Sequence, residues 1–224
     1  MAEGMNERRL VTNLDGLLKE AKERNQISGL KFHRRYTNLA TKAFDDVWSR
    51  WWAGTPPPRL EVDLILVFED HLKLVDDALI LAIEVEYFSQ KGSKNFFEGL
   101  QQAQAFAIFG FDGLVLWHLF EAGMKKEEIG SSVQATKEIL DGFSLPIVYF
   151  ACQISKNSKL KCYVPGTYSE EGEDVSYLLS WMRNLCLQNR NPMLFPDKLP
   201  AHRRELSNEV RRRRRVIKTV LGIP

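Results

Sequence analysis

Between residues 13 and 25 the apolar positions Leu14, Leu17, Leu18 and Ala21 recur at three- and four-residue steps. This spacing predicts a short amphipathic helix with Asn13 as its N-cap. A second helix is expected over residues 37–52, where Leu39, Ala43, Phe44, Val47, Trp48, Trp51 and Trp52 supply an apolar face. Gly54-Thr55-Pro56-Pro57-Pro58 ends it, since consecutive prolines neither donate nor fit a helix. From residue 60 the pattern changes to aliphatic and β-branched runs. Residues 60–68, 72–75 and 78–88 read as a three-stranded meander, and the last of these is apolar on both faces, as a central strand is. A helix over 96–109, a strand over 114–120, a helix over 127–140 and strands over 145–154 and 159–164 follow. Val175, Leu178, Leu179, Met182 and Leu185 mark a helix over 175–187. After Pro192, Pro196 and Pro200, a final helix over 203–221 carries Leu206, Val210, Ile217, Val220 and Leu221 on one stripe.

The resulting order, ααβββαβαββ with two closing helices, is that of an α/β protein with a mixed central sheet flanked by helices. Residues 1–166 form the expected α/β domain. Residues 167–224 form a C-terminal helical extension, packed into the same compact domain and ending in a basic helix. A chain of 224 residues, 44% apolar and 27% charged, suits one globular domain of this kind. The long apolar stretch over 105–120 is broken by Gly110, Asp112, Gly113 and His118, short of the roughly 20 residues a membrane span needs. The N-terminal residues carry charge with no apolar segment behind them, so an intracellular, cytoplasmic location without a membrane partner is expected. Cys152, Cys162 and Cys186 match neither a zinc-site spacing nor a disulfide framework and read as ordinary thiols. Cys152 and Cys162, on adjacent expected strands, could pair in an oxidising or hyperthermophilic setting.

Charge is segregated along the chain. Residues 198–218 hold nine Lys or Arg against Glu205 and Glu209, a balance of +7, which leaves −5 for the rest of a chain of net charge +2. Clustered positive charge of this kind suits a polyanion, because phosphate neutralisation releases counterions.

The most informative local feature is Ile83-Glu84-Val85-Glu86-Tyr87, two carboxylates in a strand otherwise aliphatic. Alternate residues share a face of a strand, so Glu84 and Glu86 project together. Two buried carboxylates repel each other and are costly to desolvate unless a positive charge lies between them. A divalent metal supplies that charge, and Asp63 on the neighbouring strand offers a further oxygen ligand of the type Mg²⁺ prefers. The alternative is a solvent-facing pair neutralised by Lys91, Lys94 or arginine.

The arrangement Val62-Asp63-Leu64-Ile65-Leu66, Ile83-Glu84-Val85-Glu86 beginning 20 residues after Asp63, a helix bearing Gln101 and Gln102, then Gly110-Phe111-Asp112-Gly113-Leu114-Val115-Leu116-Trp117 resembles the PD-(D/E)xK nuclease superfamily of restriction enzymes, archaeal Holliday-junction resolvases and repair nucleases. The resemblance covers roughly residues 37–120 and lies in the order and spacing of elements more than in motif letters. It implies a restriction endonuclease-like αβββαβ core, with Asp63 and Glu84 as ligands of Mg²⁺ or Mn²⁺. Val62 stands where the family has proline. Glu86 stands at the family's lysine position, as in the ExE form that some of its restriction enzymes use. Glu86 then serves as a metal ligand or accepts the proton of the attacking water; otherwise Lys91 or Lys94 reaches the site, or the lysine is lost and catalysis with it. Gln101 or Gln102 matches the helical glutamine that orients water or substrate; the competing reading is a helix-surface residue.

The run Arg211, Arg212, Arg213, Arg214 and Arg215 spans more than a helical turn, so its side chains cannot share one face. It reads either as a phosphate clamp or as a solvated or interface face. Arg34 and Arg35, within His33-Arg34-Arg35-Tyr36, extend a possible groove. Trp48, Trp51 and Trp52 at helical spacing read as core rather than as base-stacking platforms. His71 and His118 stand isolated, and no phosphate-cradling glycine motif occurs. The expectation is a Mg²⁺-dependent endonuclease acting on duplex or branched DNA as a homodimer. The alternatives are an inactive DNA-binding protein of nuclease fold and an RNA-processing nuclease.

Overall fold

A computed structural model describes residues 6–39, 61–90, 97–155, 159–166 and 170–223. The chain begins with helix α1, Glu7–Glu23, whose N-cap is Asn6: its side chain accepts from the Arg9 amide at 2.9 Å. Asn13, the expected cap, lies inside the helix, because Leu10 and Val11 carry the buried stripe one turn further back. Strand β1, Leu30–Asn38, occupies a segment where no strand was expected. It is an outer strand with Lys31, Arg34 and Arg35 exposed, so it lacks the apolar density of a buried one. Thr37 and Asn38, assigned to the second expected helix, are the end of this strand. Leu39, also assigned to that helix, follows the strand as a buried, non-helical residue, and the rest of the expected helix, its tryptophans and the proline run lie outside the described residues.

Strands β2, Glu61–Glu69, and β3, Ala78–Phe88, form an antiparallel hairpin, and β1 pairs antiparallel with β2. The meander is therefore β1-β2-β3. The expected strand over 72–75 is instead part of the hairpin loop, because Glu69 and Ala78 already face each other in register. Asp70 shapes that loop by accepting from the Leu72 amide at 3.0 Å, and Lys73 takes a positive φ of 47°. Helix α2, Glu98–Phe109, crosses to β4, Gly113–Phe120, which lies parallel to β3. Helix α3, Lys126–Gly142, crosses to β5, Ile147–Ile154, parallel to β4, and β6, Leu160–Val164, returns antiparallel at the far edge. Cys152 and Cys162 are register partners across β5 and β6. Helices α4, Val175–Gln188, and α5, Ala201–Leu221, complete the chain.

Two apolar cores follow from alternation along the strands. Leu64, Leu66, Leu81, Ile83, Val85 and Trp117 point towards α1 and α4. Ile65, Val67, Ile80, Ala82, Leu114 and Leu116 point towards α2, α3 and α5. The sheet is thus covered on both sides. No helix among the described residues is long and apolar enough to cross a membrane.

The end of the sheet at which β4 begins is closed by buried charge. Asp112 is fully buried, exchanges two hydrogen bonds with the backbone of Ile80, and accepts from Arg214 Nη1 at 2.5 Å. Arg214 also donates to Asp76 at 2.9 and 3.1 Å and to the Ala78 carbonyl at 2.7 Å. Arg190 pairs with Asp70 at 2.7 Å beside them. Gly110 makes this docking possible: at φ 91° it follows α2, and a Cβ there would come within 2.7 Å of the Val210 carbonyl and 2.8 Å of Arg214 Cβ. Burial pushes Asp112 up to about 6 against the opposing pull of Arg214.

Removing one partner of a buried, hydrogen-bonded pair strands the other's charge, at about 3–5 kcal/mol. Arg214→Met is therefore expected to lower stability by that order in urea unfolding, whereas exposed Arg211→Ala should change it by less than about 0.5 kcal/mol. Equal effects of the two substitutions would contradict the assignment.

Candidate metal and phosphodiester site

Glu84 and Glu86 lie in the second half of β3 and share alternation with Ile80, Ala82 and Phe88, which places both on the α2, α3 and α5 face. They are buried, 4% and 3% exposed, although their strand pairs with β4 on one side only at this level. The ladder between β2 and β3 stops at Leu64 and Ile83, while β2 continues back to Glu61 on β1 and β3 continues to Phe88 on β4. The strands part from Asp63 onwards. In the opening, the Val85 amide donates to Asp63 Oδ2 at 2.9 Å, so a side-chain carboxylate takes the place of the missing backbone acceptor. Beyond Leu64 and Ile83 the ladder ends, and Asp63 meets β3 at Val85, the residue between Glu84 and Glu86.

The opening is acidic. Burial raises the Asp63 carboxyl to about 7, reinforced by the charges of Glu7, Glu86 and Glu61 against the bond from Val85. Glu7 comes from the first turn of α1 and was not among the residues expected from sequence. Starting the helix at Asn13 left Glu7 outside it, and a hydrophobic stripe traced back to Leu10 would have recovered it. Glu86 is set under the first turn of α2: a Cβ on Gly99 would fall 2.5 Å from Glu86 Cγ and 2.8 Å from its Oε1. That glycine lets the positive end of the helix approach the carboxylate. Gln101 and Gln102 follow on α2 and are exposed.

No family model matches this chain, and neither does a curated protein or a solved structure. The site's own chemistry therefore carries the reading. Among the described residues no group of three His, Cys, Asp or Glu side chains is placed to hold a metal ion. A cation here would be held by one or two carboxylates and completed by water and a phosphate, the open manner in which Mg²⁺ binds at phosphoryl-transfer sites. The charge repulsion around Asp63 is the observation that fits such a cation.

Positively charged neighbours come from the first elements of the chain. Tyr36, opposite Asp63 in the β1–β2 register and held at φ 46°, donates from its hydroxyl to the Arg8 carbonyl at 2.5 Å. The guanidiniums of Arg8 and Arg35 lie over its ring at 5.1 and 5.9 Å. Arg35 donates to Thr12 at 2.7 Å and lies 3.7 Å from Asp15, whereas Arg34 reaches the Val220 carbonyl at the end of α5.

The arginine run is divided. Arg213 and Arg214 are buried, and Arg213 donates to the Ile108 carbonyl at 2.7 Å, so the structure removes these two from any phosphate-facing surface. Amphipathic packing is the reason, since both fall on the helix side that docks at Gly110. Arg211 and Arg215 are exposed and Arg212 half-buried. They do not join the carboxylates: Arg214 bonds the Ala78 carbonyl, six residues and so roughly 20 Å along β3 from Glu84. Lys91 and Lys94 lie outside the described residues.

The Asp63 shift sets a sign for pH dependence. Asp63 ionises at 3.8 when unperturbed and near 7 in the folded chain, so the folded form holds an extra proton between those values. Stability should fall as pH rises through that window. In metal-free buffer, Asp63→Asn, which keeps an acceptor for Val85 and carries no charge, is expected to melt higher than wild type at pH 8 and to lose part of the pH dependence. A variant melting lower than wild type at pH 8 would reverse the assignment.

Proposed function

We propose that this chain is a metal-dependent endonuclease of the PD-(D/E)xK type that hydrolyses phosphodiester bonds of duplex or branched DNA, working as a homodimer. The observation that carries the reading is the parting of β2 from β3, where Asp63 accepts from the amide of Val85, between the buried Glu84 and Glu86, and feels the charge of Glu86. The order α1-β1-β2-β3-α2-β4 supports a restriction endonuclease-like αβββαβ core around that opening. The carboxylates also lie towards the carboxyl ends of the parallel strands β3 and β4, where open α/β sheets bind ligands.

In this reading Asp63 and Glu84 hold Mg²⁺ or Mn²⁺. When bound, the ion supplies positive charge that polarises the phosphodiester and acidifies the attacking water. Glu86, under the α2 N-terminus, is the further ligand or takes up the proton of that water. Gln101 and Gln102 rim the site on α2, where one of them orients water or substrate. Arg8, Arg34 and Arg35 flank the strand carrying Asp63 and meet the nucleic-acid backbone. Arg211, Arg212 and Arg215 contact phosphates farther from the bond being cut.

A second reading is favoured by one feature, Glu86 at the family's lysine position: a DNA-binding protein of nuclease fold without activity. An RNA substrate is the third, tested by competition between DNA and RNA. Labelled linear, supercoiled and four-way-junction DNA incubated with Mg²⁺ or Mn²⁺ decides among them. Wild type should cut, and Asp63→Ala and Glu84→Ala should lose at least about a hundredfold in rate while retaining fold and DNA binding, since each removes an ion ligand. Cutting retained in both variants would refute the site. Intact binding with no cutting by wild type would establish the inactive reading.

A further inference from the structure

Cys152 on β5 and Cys162 on β6 lie away from the acidic opening, at the far edge of the sheet, and they face each other in register. The hairpin that joins the two strands determines which kind of pair they form. The Ser155 amide donates to the Lys159 carbonyl at 2.9 Å, so these opposed residues are a hydrogen-bonded pair. Such pairs alternate with non-hydrogen-bonded ones along an antiparallel ladder. Ile154 and Leu160 are then non-hydrogen-bonded, Gln153 and Lys161 bonded, and Cys152 and Cys162 non-hydrogen-bonded. Leu160 agrees with this phase, since its amide and carbonyl both turn outwards to Glu173. Side chains approach most closely in a non-hydrogen-bonded pair, as a disulfide requires, with its Cβ atoms roughly 3.5–4.5 Å apart. The two cysteines are free thiols with their sulfurs 2.6 Å apart. Cys186, the third thiol, is on α4 against Gly113.

We propose that Cys152 and Cys162 are a dithiol pair that a low-molecular-weight disulfide oxidises to a cross-strand bond, stapling β6 to β5. One cysteine sulfur, as thiolate, attacks the small disulfide and releases one thiol; the other cysteine then attacks the mixed disulfide and releases the second. One S–S bond breaks and one forms, the small disulfide takes both electrons, and the two protein thiol protons leave on the released thiols. The surroundings control access. Cys152 is 0% and Cys162 4% exposed, in the apolar core shared with Leu178, Leu179 and Met182 of α4. Burial also pushes the Cys152 thiol well above its ordinary range, which suppresses the thiolate. Attack therefore waits on the opening of β6, a five-residue strand at the end of the sheet. Among the described residues its backbone pairs only with β5 and, through Leu160, with Glu173. Once formed, the bond ties this outer strand down. It also closes a loop of nine intervening residues, 153–161, which restricts the unfolded chain.

The test uses the full chain, reduced with dithiothreitol, freed of it and held folded in oxidised glutathione, with and without urea below the unfolding transition. Samples are quenched with acid, alkylated under denaturing conditions and read by intact and peptide mass. Alkylated thiols should fall from three to one, with an intact mass lower by two hydrogens before alkylation. The peptides carrying Cys152 and Cys162 should be linked and Cys186 alkylated, and low urea should speed the reaction. The oxidised chain should melt about 5–10 °C above the reduced one, and this difference should vanish in Cys152→Ala and Cys162→Ala. A link to Cys186, glutathione adducts with no link, or three alkylated thiols after oxidation in low urea would overturn the proposal. So would an oxidised chain that melts no higher than the reduced one, since the bond would then not hold β6 in its native place. Should the alanine variants fail to fold, the peptide map and melting of the wild type decide alone.

Discussion

The buried charge of Asp112 is the constraint around which this molecule is arranged. It lies where α2 ends and β4 begins, and it cannot be ionised there without Arg214 brought in by the last helix. That requirement ties the C-terminal helix to the β2–β3 loop through Asp76 and to the end of α2 through Gly110. With one end of the sheet closed by compensated charge, the other end can carry acids that the fold leaves imperfectly compensated. The contrast between Asp112 and Asp63 expresses this. Both are raised by burial, but Asp112 has guanidinium partners pulling it back, whereas the charges acting on Asp63 are carboxylates.

Legibility in the sequence followed the strength of local pattern. Residues 78–88 and 114–120 are so densely aliphatic that their strands are unmistakable, and the helices over 127–140 and 175–187 are marked by clean periodicity. Strand β1 was not legible. In Leu30-Lys31-Phe32-His33-Arg34-Arg35-Tyr36 the charges dominate, because an outer strand facing water on one side needs few apolar residues. The missed strand displaced the meander by one element, and Leu72 and Leu74 were read as strand although they lie exposed in a loop, 60% and 55% accessible.

For the site, the pairing of Glu84 with Glu86 was visible because alternation within one strand is a local property. Their neighbours were not, because they depend on register between strands. His118 is 32 residues from Glu86 and 31 from Tyr149 in the chain, yet it is beside both in the sheet. The five-arginine run shows the opposite limit. Composition identified a basic segment, but only docking geometry separates Arg213 and Arg214, consumed by the interior, from Arg211 and Arg215, which remain outside.

Strand β1 also determines where the sheet stops. An outermost strand presents unpaired backbone groups, and a flat apolar one invites another chain to extend the sheet. Here Lys31, Arg34 and Arg35 line that border, and Tyr36 leaves the extended conformation near its end. A second copy approaching border to border would bring like charges together and meet a backbone that turns away. The charges along this border therefore act as a guard against open-ended strand addition.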